Sequence, residues 1–260
     1  MQSSIVGKLL TIVTLVSEAS KPPSFSELVR TSGLNKSTVH RLLAVAMESQ
    51  LLQFDAQRKA YLLGPKLFDL VKNAHKGYDI QIIALEEMIR LNKLSGENVT
   101  IGVPQGTDIV YLRVLDSPHN MGSVPMPGMR EPFHCSASGK ALMAFLPDKA
   151  IRAKLDGHHF DRYTARTLTD QASFIAALEE IRHTGYATND REEYDHFVGI
   201  SAPIFNYLAE PIAALNIWSL HQRCPLDGLR AWADELMHSA ARVTTLIGGE
   251  PPALKDLLNR

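Results

Sequence analysis

Four polar residues in the N-terminal part of the chain are spaced so that their side chains can bind DNA. Lys36, Ser37, His40 and Arg41 recur at helical intervals, and Thr38 lies at the edge of the same stripe. Arginine can donate two hydrogen bonds to guanine, lysine neutralises phosphate, and hydroxyl and imidazole groups can bind either partner. Because a polar stripe on a helix is most often a solvated face, the prediction depends on the surrounding elements.

Those elements have the pattern of a helix-turn-helix. Residues 5–17 have the apolar spacing of a first packing helix. Ser24, followed three residues later by Glu27, predicts a capping box that begins a second helix. Gly33 lies where the chain must turn, and Asn35 is placed to cap a third helix. Apolar residues at i, i+3, i+4 and i+7 then predict the buried face of the third helix: Val39, Leu42, Leu43 and Ala46.

A hairpin pattern directly follows the third helix. Two apolar segments within Leu51–Leu63 flank a polar tip, Asp55–Lys59, which is typical of the wing of a winged helix-turn-helix. At that tip Arg58 and Lys59 are expected to contact backbone phosphate, which gives affinity and salt dependence but no sequence choice. The predicted DNA-contacting residues are Ser24, Lys36, Ser37, Thr38, His40, Arg41, Arg58 and Lys59.

The charge is unevenly distributed along the chain. The net charge is −1, yet residues 1–78 hold ten Lys and Arg against five Asp and Glu, whereas residues 79–260 hold 17 against 23. A basic N-terminal part suits a polyanion, and the acidic remainder would be repelled by one. A chance imbalance of a few charges is the alternative, and the helix-turn-helix pattern argues against it.

Length and composition limit the class of protein. A chain of 260 residues favours two domains, and no run of about 18 apolar residues is present that could span a bilayer. The N-terminal stretch lacks the charged start and the cleavage site of an export signal. Cys135 and Cys224 are too few for a disulfide framework. We therefore expect a soluble, cytoplasmic protein with no membrane partner.

The remainder of the chain predicts an α+β domain. Asn98–Val103 and Ile109–Leu115 form a hairpin pattern, and strands are expected at Tyr186–Asn189, Gly199–Phe205 and Pro211–Ser219. Helices are expected at residues 80–94, 136–145, 148–155, 170–184 and 225–247. This mixture is typical of a sensor domain in which a sheet and covering loops enclose a small ligand. The predicted divisions are residues 1–64 (winged helix-turn-helix), 65–78 (linker helix), 79–248 (effector domain) and 249–260 (tail).

Four segments also carry a family resemblance, and they occur in the family order: Asn35–Leu43, His134–Leu142, Tyr163–Asp170 and Ile181–Ala187. Together they resemble the signatures of the IclR family of bacterial transcriptional regulators. The resemblance implies an N-terminal winged helix-turn-helix, a linker helix and a C-terminal GAF-like effector domain with an antiparallel sheet. It also implies a homodimer, or a tetramer built as a dimer of dimers, on a pseudo-palindromic operator in double-stranded DNA.

The resemblance implies an effector pocket, and here the sequence departs from the commonest pattern. Family members that sense small oxo-acids usually line the pocket with a carboxylate, a cysteine and two serines. The matching positions here hold Asn189, Gly199, Asn216 and Trp218. Backbone amides at a helix start, here those of Ala137 and Ser138, would still favour an anionic group.

These replacements predict the size of the effector. Glycine in place of cysteine opens volume at residue 199, and tryptophan in place of serine adds a large apolar plate with one N–H donor at residue 218. We therefore expect a carboxylate larger than glyoxylate or pyruvate, aromatic or otherwise cyclic, from a catabolic pathway. The alternative is that Trp218 is a core aromatic that points away from the pocket.

Enzymatic readings are weaker. Ser136–Gly139 lacks the first glycine of a nucleophile elbow, and Gly139-Lys140 lacks the other elements of a phosphate loop. His158-His159 and the run Arg191–Asp195 are expected to be exposed, and His134 is expected to cap the helix that follows it. No catalytic residue, metal site or cofactor is predicted. The sequence favours a ligand-responsive regulator, more readily a repressor than an activator, over an enzyme acting on a small acid.

Overall fold

Helices and a two-stranded hairpin form the N-terminal unit. The computed structural model describes residues 4–67, 69, 79–119 and 127–252. The chain divides into two compact units, Met1–Tyr78 and Asp79–Arg260. In the first unit the helices are α1 (Ile5–Glu18), α2 (Phe25–Ser32) and α3 (Lys36–Glu48), and the antiparallel strands are β1 (Leu52–Asp55) and β2 (Ala60–Leu63).

The ends of α2 and α3 are determined by local chemistry. The Ser24 hydroxyl accepts from the Glu27 N–H while the Glu27 carboxylate accepts from the Ser24 N–H, which completes the predicted capping box. Gly33 ends α2 in the left-handed conformation, with φ of 67°. This conformation is not strained in glycine because glycine has no Cβ. Asn35 then caps α3, because its Oδ1 accepts from the Thr38 N–H at 2.8 Å.

One apolar cluster holds the first unit together. It joins Ile12 and Val16 of α1 and Leu28 of α2 to the predicted apolar stripe of α3 and to Leu52 of β1. Burial of these side chains stabilises the three helices as a group, since helices this short are marginal in isolation. The polar side of α3 is therefore directed away from this core.

The second unit contains seven helices and six strands among its described residues. The helices are α4 (Ile80–Ile83), α5 (Leu85–Ser95), α6 (Ala137–Ala144), α7 (Asp148–Leu155), α8 (Gln171–Thr184), α9 (Leu226–Arg230) and α10 (Ala233–Leu246). The strands are β3 (Asn98–Gln105), β4 (Asp108–Leu115), β5 (Arg130–Pro132), β6 (Ala187–Asp190), β7 (Phe197–Phe205) and β8 (Pro211–Leu220). All neighbours pair antiparallel in the order β5-β4-β3-β8-β7-β6, so the predicted α+β class with an antiparallel sheet is confirmed.

Period-two alternation gives the two faces of this sheet different partners. Alternate residues of β3, β7 and β8, such as Ile101, Ile200 and Leu215, pack with α5, α9 and α10 in the largest apolar cluster. The intervening residues face α6 and include polar side chains. Ser201 on β7, for example, donates from Oγ to Ser138 Oγ across 3.4 Å. A second cluster, around Phe133 and Phe174, packs α6 with α7 and α8.

Several predicted elements differ from the observed ones. The predicted helices at residues 80–94 and 225–247 are each two helices, separated at Ala84 and at Ala231–Trp232. At the second break the Trp232 N–H bonds to the Leu229 carbonyl, three residues before it, which tightens the turn. Strand β5 lies between Leu115 and Ser136, where neither a helix nor a strand was predicted. None of the described helices is long and apolar enough to cross a membrane.

Some predictions concern residues outside those that the structure describes. The linker helix was predicted for residues 65–78, of which 68 and 70–78 lie outside the described residues. Of the predicted tail, residues 253–260 also lie outside them. The predicted linker and tail therefore stay predictions.

Candidate nucleic-acid interface and effector pocket

The polar stripe of α3 is exposed along its length. Lys36, Ser37, His40 and Arg41 are exposed and Thr38 is half-buried, while Val39 between them is fully buried. The stripe therefore lies on the side of α3 opposite the core, as a groove-reading helix requires. The His40 ring also contacts Phe25 of α2 edge to face, with ring centroids 6.4 Å apart.

Two of the predicted contact residues already use their hydroxyls in helix caps. Ser37 Oγ donates to Asn35 Oδ1 at 2.9 Å, and Ser24 Oγ donates to the Glu27 carboxylate at 2.7 Å. While these bonds last, Ser24 and Ser37 can offer DNA only the acceptor side of the hydroxyl. Lys36, His40 and Arg41 have exposed polar groups that can be directed to DNA.

The tip of the hairpin carries the two remaining predicted residues. Asp55 Oδ1 accepts from the backbone N–H groups of Gln57 and Arg58, at 2.9 and 3.1 Å, and so shapes the tip. Arg58 and Lys59 are both exposed, and Arg58 Nε lies 3.7 Å from Asp55 Oδ2 in a loose ion pair. Such an exposed pair is weak, so the guanidinium remains able to bind phosphate.

Three of the predicted pocket residues lie side by side across the sheet of the second unit. Trp218 on β8 is paired with Gly199 on β7, and Gly199 is paired with Asn189 on β6. Residues paired directly across neighbouring strands point to the same face, so this row faces α6. Asn216 lies two residues before Trp218 on β8 and therefore faces the same way.

A cavity is present beneath the start of α6, and these residues line it. Ala137, Asn189, Gly199, Asn216 and Trp218 all contribute to the lining, and the cavity volume is about 30 Å³. The sixth predicted residue, Ser138, is buried beside the cavity, bonded to Ser201. Trp218 thus lines the cavity and does not point away from it. The space suffices for one or two water molecules but not for a ring.

The start of α6 is held in place by its cap and by close packing. Ser136 Oγ accepts from the Gly139 N–H at 3.0 Å and caps the helix. A Cβ on Gly139 would lie 2.3 Å from the backbone of Phe133, so only glycine permits this approach. The prediction that His134 caps α6 is wrong, because Ser136 provides the cap. The N–H groups of Ala137 and Ser138 begin the helix, where amides lack intrahelical partners.

Two buried polar atoms of the cavity wall have no hydrogen-bond partner within the part of the chain that the structure describes: Trp218 Nε1 and Asn216 Oδ1. Trp218 is 5% and Asn216 is 4% exposed. The amide nitrogen of Asn216 donates to Thr100 Oγ1 at 3.2 Å, which leaves its oxygen as the acceptor. An unpaired buried donor and acceptor are costly, so the wall is suited to a polar ligand.

The sequence prediction missed the acidic side of the cavity. Tyr111, Glu131, Glu193 and Tyr194 also line it. The Tyr111 hydroxyl donates to Glu131 Oε2 at 2.5 Å. Burial raises the pKa of Glu131 to about 7, and burial together with the charge of Glu131 raises the pKa of Glu193 to about 8. Alternation along β4 places Tyr111 inward, whereas nothing in the local sequence indicates the position of Glu131.

The prediction that the run Arg191–Asp195 is exposed is wrong for its two glutamates. Glu192 and Glu193 are buried, and Lys140 of α6 donates from Nζ to Glu192 Oε1. The positive charge that offsets the burial of Glu192 belongs to Lys140, which lies 52 residues earlier in the chain. The run therefore attaches the segment between β6 and β7 to α6.

The paired histidines are only partly exposed. His159 is exposed as predicted, but His158 is half-buried, and its Nε2 lies 3.3 Å from Nδ1 of the buried His134. His134 Nε2 lies 3.1 Å from the Asp161 carbonyl oxygen. Burial lowers the pKa of both His134 and His158. Among the described residues, no group of three or more His, Cys, Asp or Glu is arranged to hold a metal ion.

Comparisons with known proteins agree with this architecture. Residues 72–245 match the C-terminal domain of bacterial transcriptional regulator IclR, and residues 6–56 match the IclR helix-turn-helix domain. The chain is 25% identical over 243 residues to the HTH-type transcriptional regulator XynR of Escherichia coli (strain K12), covering 94% of this chain and 96% of XynR. It is 26% identical over 242 residues to the HTH-type transcriptional repressor AllR of the same strain, covering 92% and 88%.

A solved structure shows the same relationship. The crystal structure of a chain from Silicibacter sp. that is described as an IclR transcriptional regulator matches with a TM-score of 0.82 and 26% identity. The match covers 96% of this chain and 98% of that one. The chain belongs to the IclR family of transcriptional regulators, with a DNA-binding helix-turn-helix and a C-terminal effector domain.

Proposed function

We propose that this chain is a ligand-responsive repressor that acts in the cytoplasm as a homodimer, or as a dimer of dimers, on a pseudo-palindromic operator. Its effector is a small carboxylate, aromatic or otherwise cyclic. The observation that carries the effector proposal is the row Asn189–Gly199–Trp218 beneath the start of α6, with unpaired buried polar atoms beside it. A dimer would place two recognition helices about one DNA turn apart, roughly 34 Å.

The exposed stripe of α3 supports sequence-specific binding. Arg41 can donate two hydrogen bonds to a guanine, and Lys36 can bind phosphate at the start of the helix. The wing adds Arg58 and Lys59 as phosphate contacts that do not depend on the base sequence. We infer that α3 supplies operator choice and the wing supplies affinity.

The start of α6 supports binding of a carboxylate. Its first amides, those of Ala137 and Ser138, precede the N–H of Gly139 that the Ser136 cap already uses. Free amides and the positive end of the helix dipole favour a negative group there. Trp218 provides an aromatic surface beside it, and Gly199 contributes no side chain to occupy the space.

A cyclic acid requires the cavity to enlarge. The present volume of about 30 Å³ is too small for a ring. Tyr194 is 43% exposed and lines the cavity, so its outward rotation, which would break its ring contact with Phe197 and its hydrogen bond with Glu193, would widen the space. We infer that the effector is bound by a widened conformation and stabilises that conformation.

Repression follows if the widened conformation binds DNA less well. An effector can change DNA affinity only through different affinities for two arrangements of the paired domains. The predicted linker helix, residues 65–78, would transmit that difference. The name of AllR as a repressor supports the direction that we propose.

The proposal is tested by a gel shift of the full-length protein on its own upstream intergenic DNA at low salt. Benzoate and cyclohexanecarboxylate are added in one series, and glyoxylate and pyruvate in another. We expect a shift that competitor DNA of random sequence does not remove, and we expect the cyclic acids to weaken it. Calorimetry with the same four acids measures effector binding directly.

Other outcomes would contradict specific parts of the proposal. The absence of a shift at low salt would favour a winged domain that binds protein instead of DNA. Conversion of an added acid to a product would favour an enzyme. Tight binding of glyoxylate, with no binding of either cyclic acid, would exclude a cyclic effector.

A further inference from the structure

Two carboxyl groups occupy the side of the effector cavity formed by β5 and by the segment after β6. Glu131 and Glu193 both line the cavity, together with Tyr111. The Tyr111 hydroxyl donates to Oε2 of Glu131, and Tyr194 forms a side-chain hydrogen bond with Glu193. A carboxyl group can accept more than one hydrogen bond, so each acid keeps acceptor capacity toward the cavity.

Neither acid forms an ion pair with any described residue. The nearby cation, Lys140, is already bound to Glu192. Burial raises the pKa of Glu131, and burial together with the charge of Glu131 raises the pKa of Glu193, so the pair holds protons near neutral pH. A ligand that donates hydrogen bonds, or that carries a positive charge, would replace those protons or share them.

Asn216 gives the cavity wall a further site for a ligand that donates a hydrogen bond. Its Oδ1 is a buried acceptor without a partner among the described residues, because its nitrogen is directed to Thr100. Donors on the wall include the indole N–H of Trp218 and the amides at the start of α6. Asn216 and Trp218, both on β8, thus place a buried acceptor and a buried donor two residues apart on one strand.

We propose that the effector is a carboxylic acid that also carries an O–H or N–H donor, that is, a hydroxy acid or an amino acid. This inference rests on the proposed function, which assigns the carboxylate to the start of α6. The donor group of the ligand faces Glu131 and Glu193. An acid without such a group cannot donate to Asn216 Oδ1 or to the carbonyl oxygens of Glu131 and Glu193, so these acceptors would lose water without a replacement bond.

Calorimetry on the full-length protein with two matched series of acids tests this inference. One series is propanoate, 3-hydroxypropanoate and 3-aminopropanoate. The other is cyclohexanecarboxylate with its 4-hydroxy and 4-amino derivatives. We expect the substituted acid of at least one series to bind about ten- to a hundredfold more tightly than its parent, the effect of one hydrogen bond to a charged group. The hydroxy and amino arms identify which donor is preferred.

Two substitutions locate the effect. We expect Glu131→Gln and Glu193→Gln to reduce the preference for the substituted acid by about tenfold. Both changes keep the size of the side chain, and a far-ultraviolet circular dichroism spectrum like that of the unaltered chain verifies that each variant folds. Glu180→Gln on the exposed face of α8 is the matched control, and it should retain the full preference.

The results separate this inference from the proposed function. Equal or tighter binding of the unsubstituted acids overturns the donor requirement and leaves the carboxylate effector in place. A preference that persists in both variants assigns the donor to another part of the wall and also overturns the inference. No binding by any acid of either series removes the carboxylate effector itself, and the donor requirement with it.

Discussion

Lys140 of α6 and Glu192, in the segment between β6 and β7, form an ion pair in which both residues are buried, at 4% and 7% exposure. Removing one partner leaves the other charge buried without compensation. We expect Lys140→Ala to lower the free energy of unfolding by about 3–5 kcal/mol. Urea denaturation of the full-length protein at neutral pH measures the change.

A double substitution separates the ion pair from simple loss of packing. Lys140→Met combined with Glu192→Gln removes both charges and retains the volume, so it should recover most of the lost stability. Lys149→Ala, at an exposed position of α7, should have little effect. Equal losses in the single and double variants would mean that the buried charge is not the cause.

The stability of the folded chain is expected to fall as the pH rises above neutrality. The pKa values of Glu131 and Glu193, about 7 and about 8, exceed the ordinary value of 4.5, so the unfolded chain releases these protons first. The contribution of these two protonated carboxyls to the free energy of unfolding is fully present below pH 4.5. It is lost as the pH rises through about 7 and 8. Melting temperatures at about pH 6.5 and 8.5 should show the decrease.

Glutamine at both positions should flatten this dependence. The melting temperatures are compared from pH 6.5 upward so that the histidines do not contribute. Burial lowers the pKa of His134 and His158 below 6.5, so their protonation destabilises the fold only at lower pH. A double variant, Glu131→Gln with Glu193→Gln, should lose less stability over the range than the unaltered chain. The same decrease in both proteins would exclude these carboxyls as its source.

The space beside Gly199 should control the size of the effector. A Cβ at this position would lie 3.3 Å from Asn216 Oδ1 and 3.4 Å from the Cβ of Trp218, so a cysteine fits with small shifts but occupies the cavity. We expect Gly199→Cys to weaken binding of cyclic acids by about tenfold, the effect of filling the space of one or two methylene groups. Three-carbon acids should be less affected.

Calorimetry checks this, with Ala172→Cys on the exposed face of α8 as a control for the added thiol. Operator binding in the absence of acid should be the same in both variants. Unchanged affinity of Gly199→Cys for cyclic acids would place their ring elsewhere.

Arg41 and Lys59 should affect DNA binding in different ways. Arg41→Ala removes a side chain that can contact bases, so the ratio of operator to random-DNA affinity should fall, by about 1–3 kcal/mol. Lys59→Ala removes a phosphate contact, so it should weaken all binding alike and reduce the salt slope by about one. Fluorescence anisotropy over a range of salt concentrations measures both quantities.

The control is Lys149→Ala in the second unit, which removes one positive charge, as Arg41→Ala and Lys59→Ala do. It should leave the ratio and the slope unchanged. If Arg41→Ala and Lys59→Ala also bound both DNAs as the unaltered chain does, α3 and the wing would not be the DNA-contacting surface.

The N-terminal unit was predictable because its signals are local. Ser24 and Glu27 are three residues apart, Gly33 is at the turn, and Asn35 directly precedes the helix that it caps. Each interaction that determines these helix ends is formed within four residues of sequence. The start of α2, its end at Gly33 and the start of α3 therefore follow from the sequence.

The cavity was only partly predictable because its walls are assembled from distant segments. Family positions indicated Asn189, Gly199 and Trp218, and the strand pairings bring these three together. The acidic wall depends on β5, a strand of three residues with no alternating pattern to reveal it. Likewise, the burial of Glu192 depends on Lys140, and a run of charges read alone predicts exposure.

The alternation along β8 has a consequence for how such a protein can change over time. Ala213, Leu215 and Ile217 hold the sheet against its apolar layer, while Asn216 and Trp218 point the other way, into the cavity. A mutation on the cavity side would change the cavity wall without touching the residues that keep the strand in place. Under the proposed function, one strand would thus let a lineage acquire a response to a different small acid while it inherits the fold unchanged.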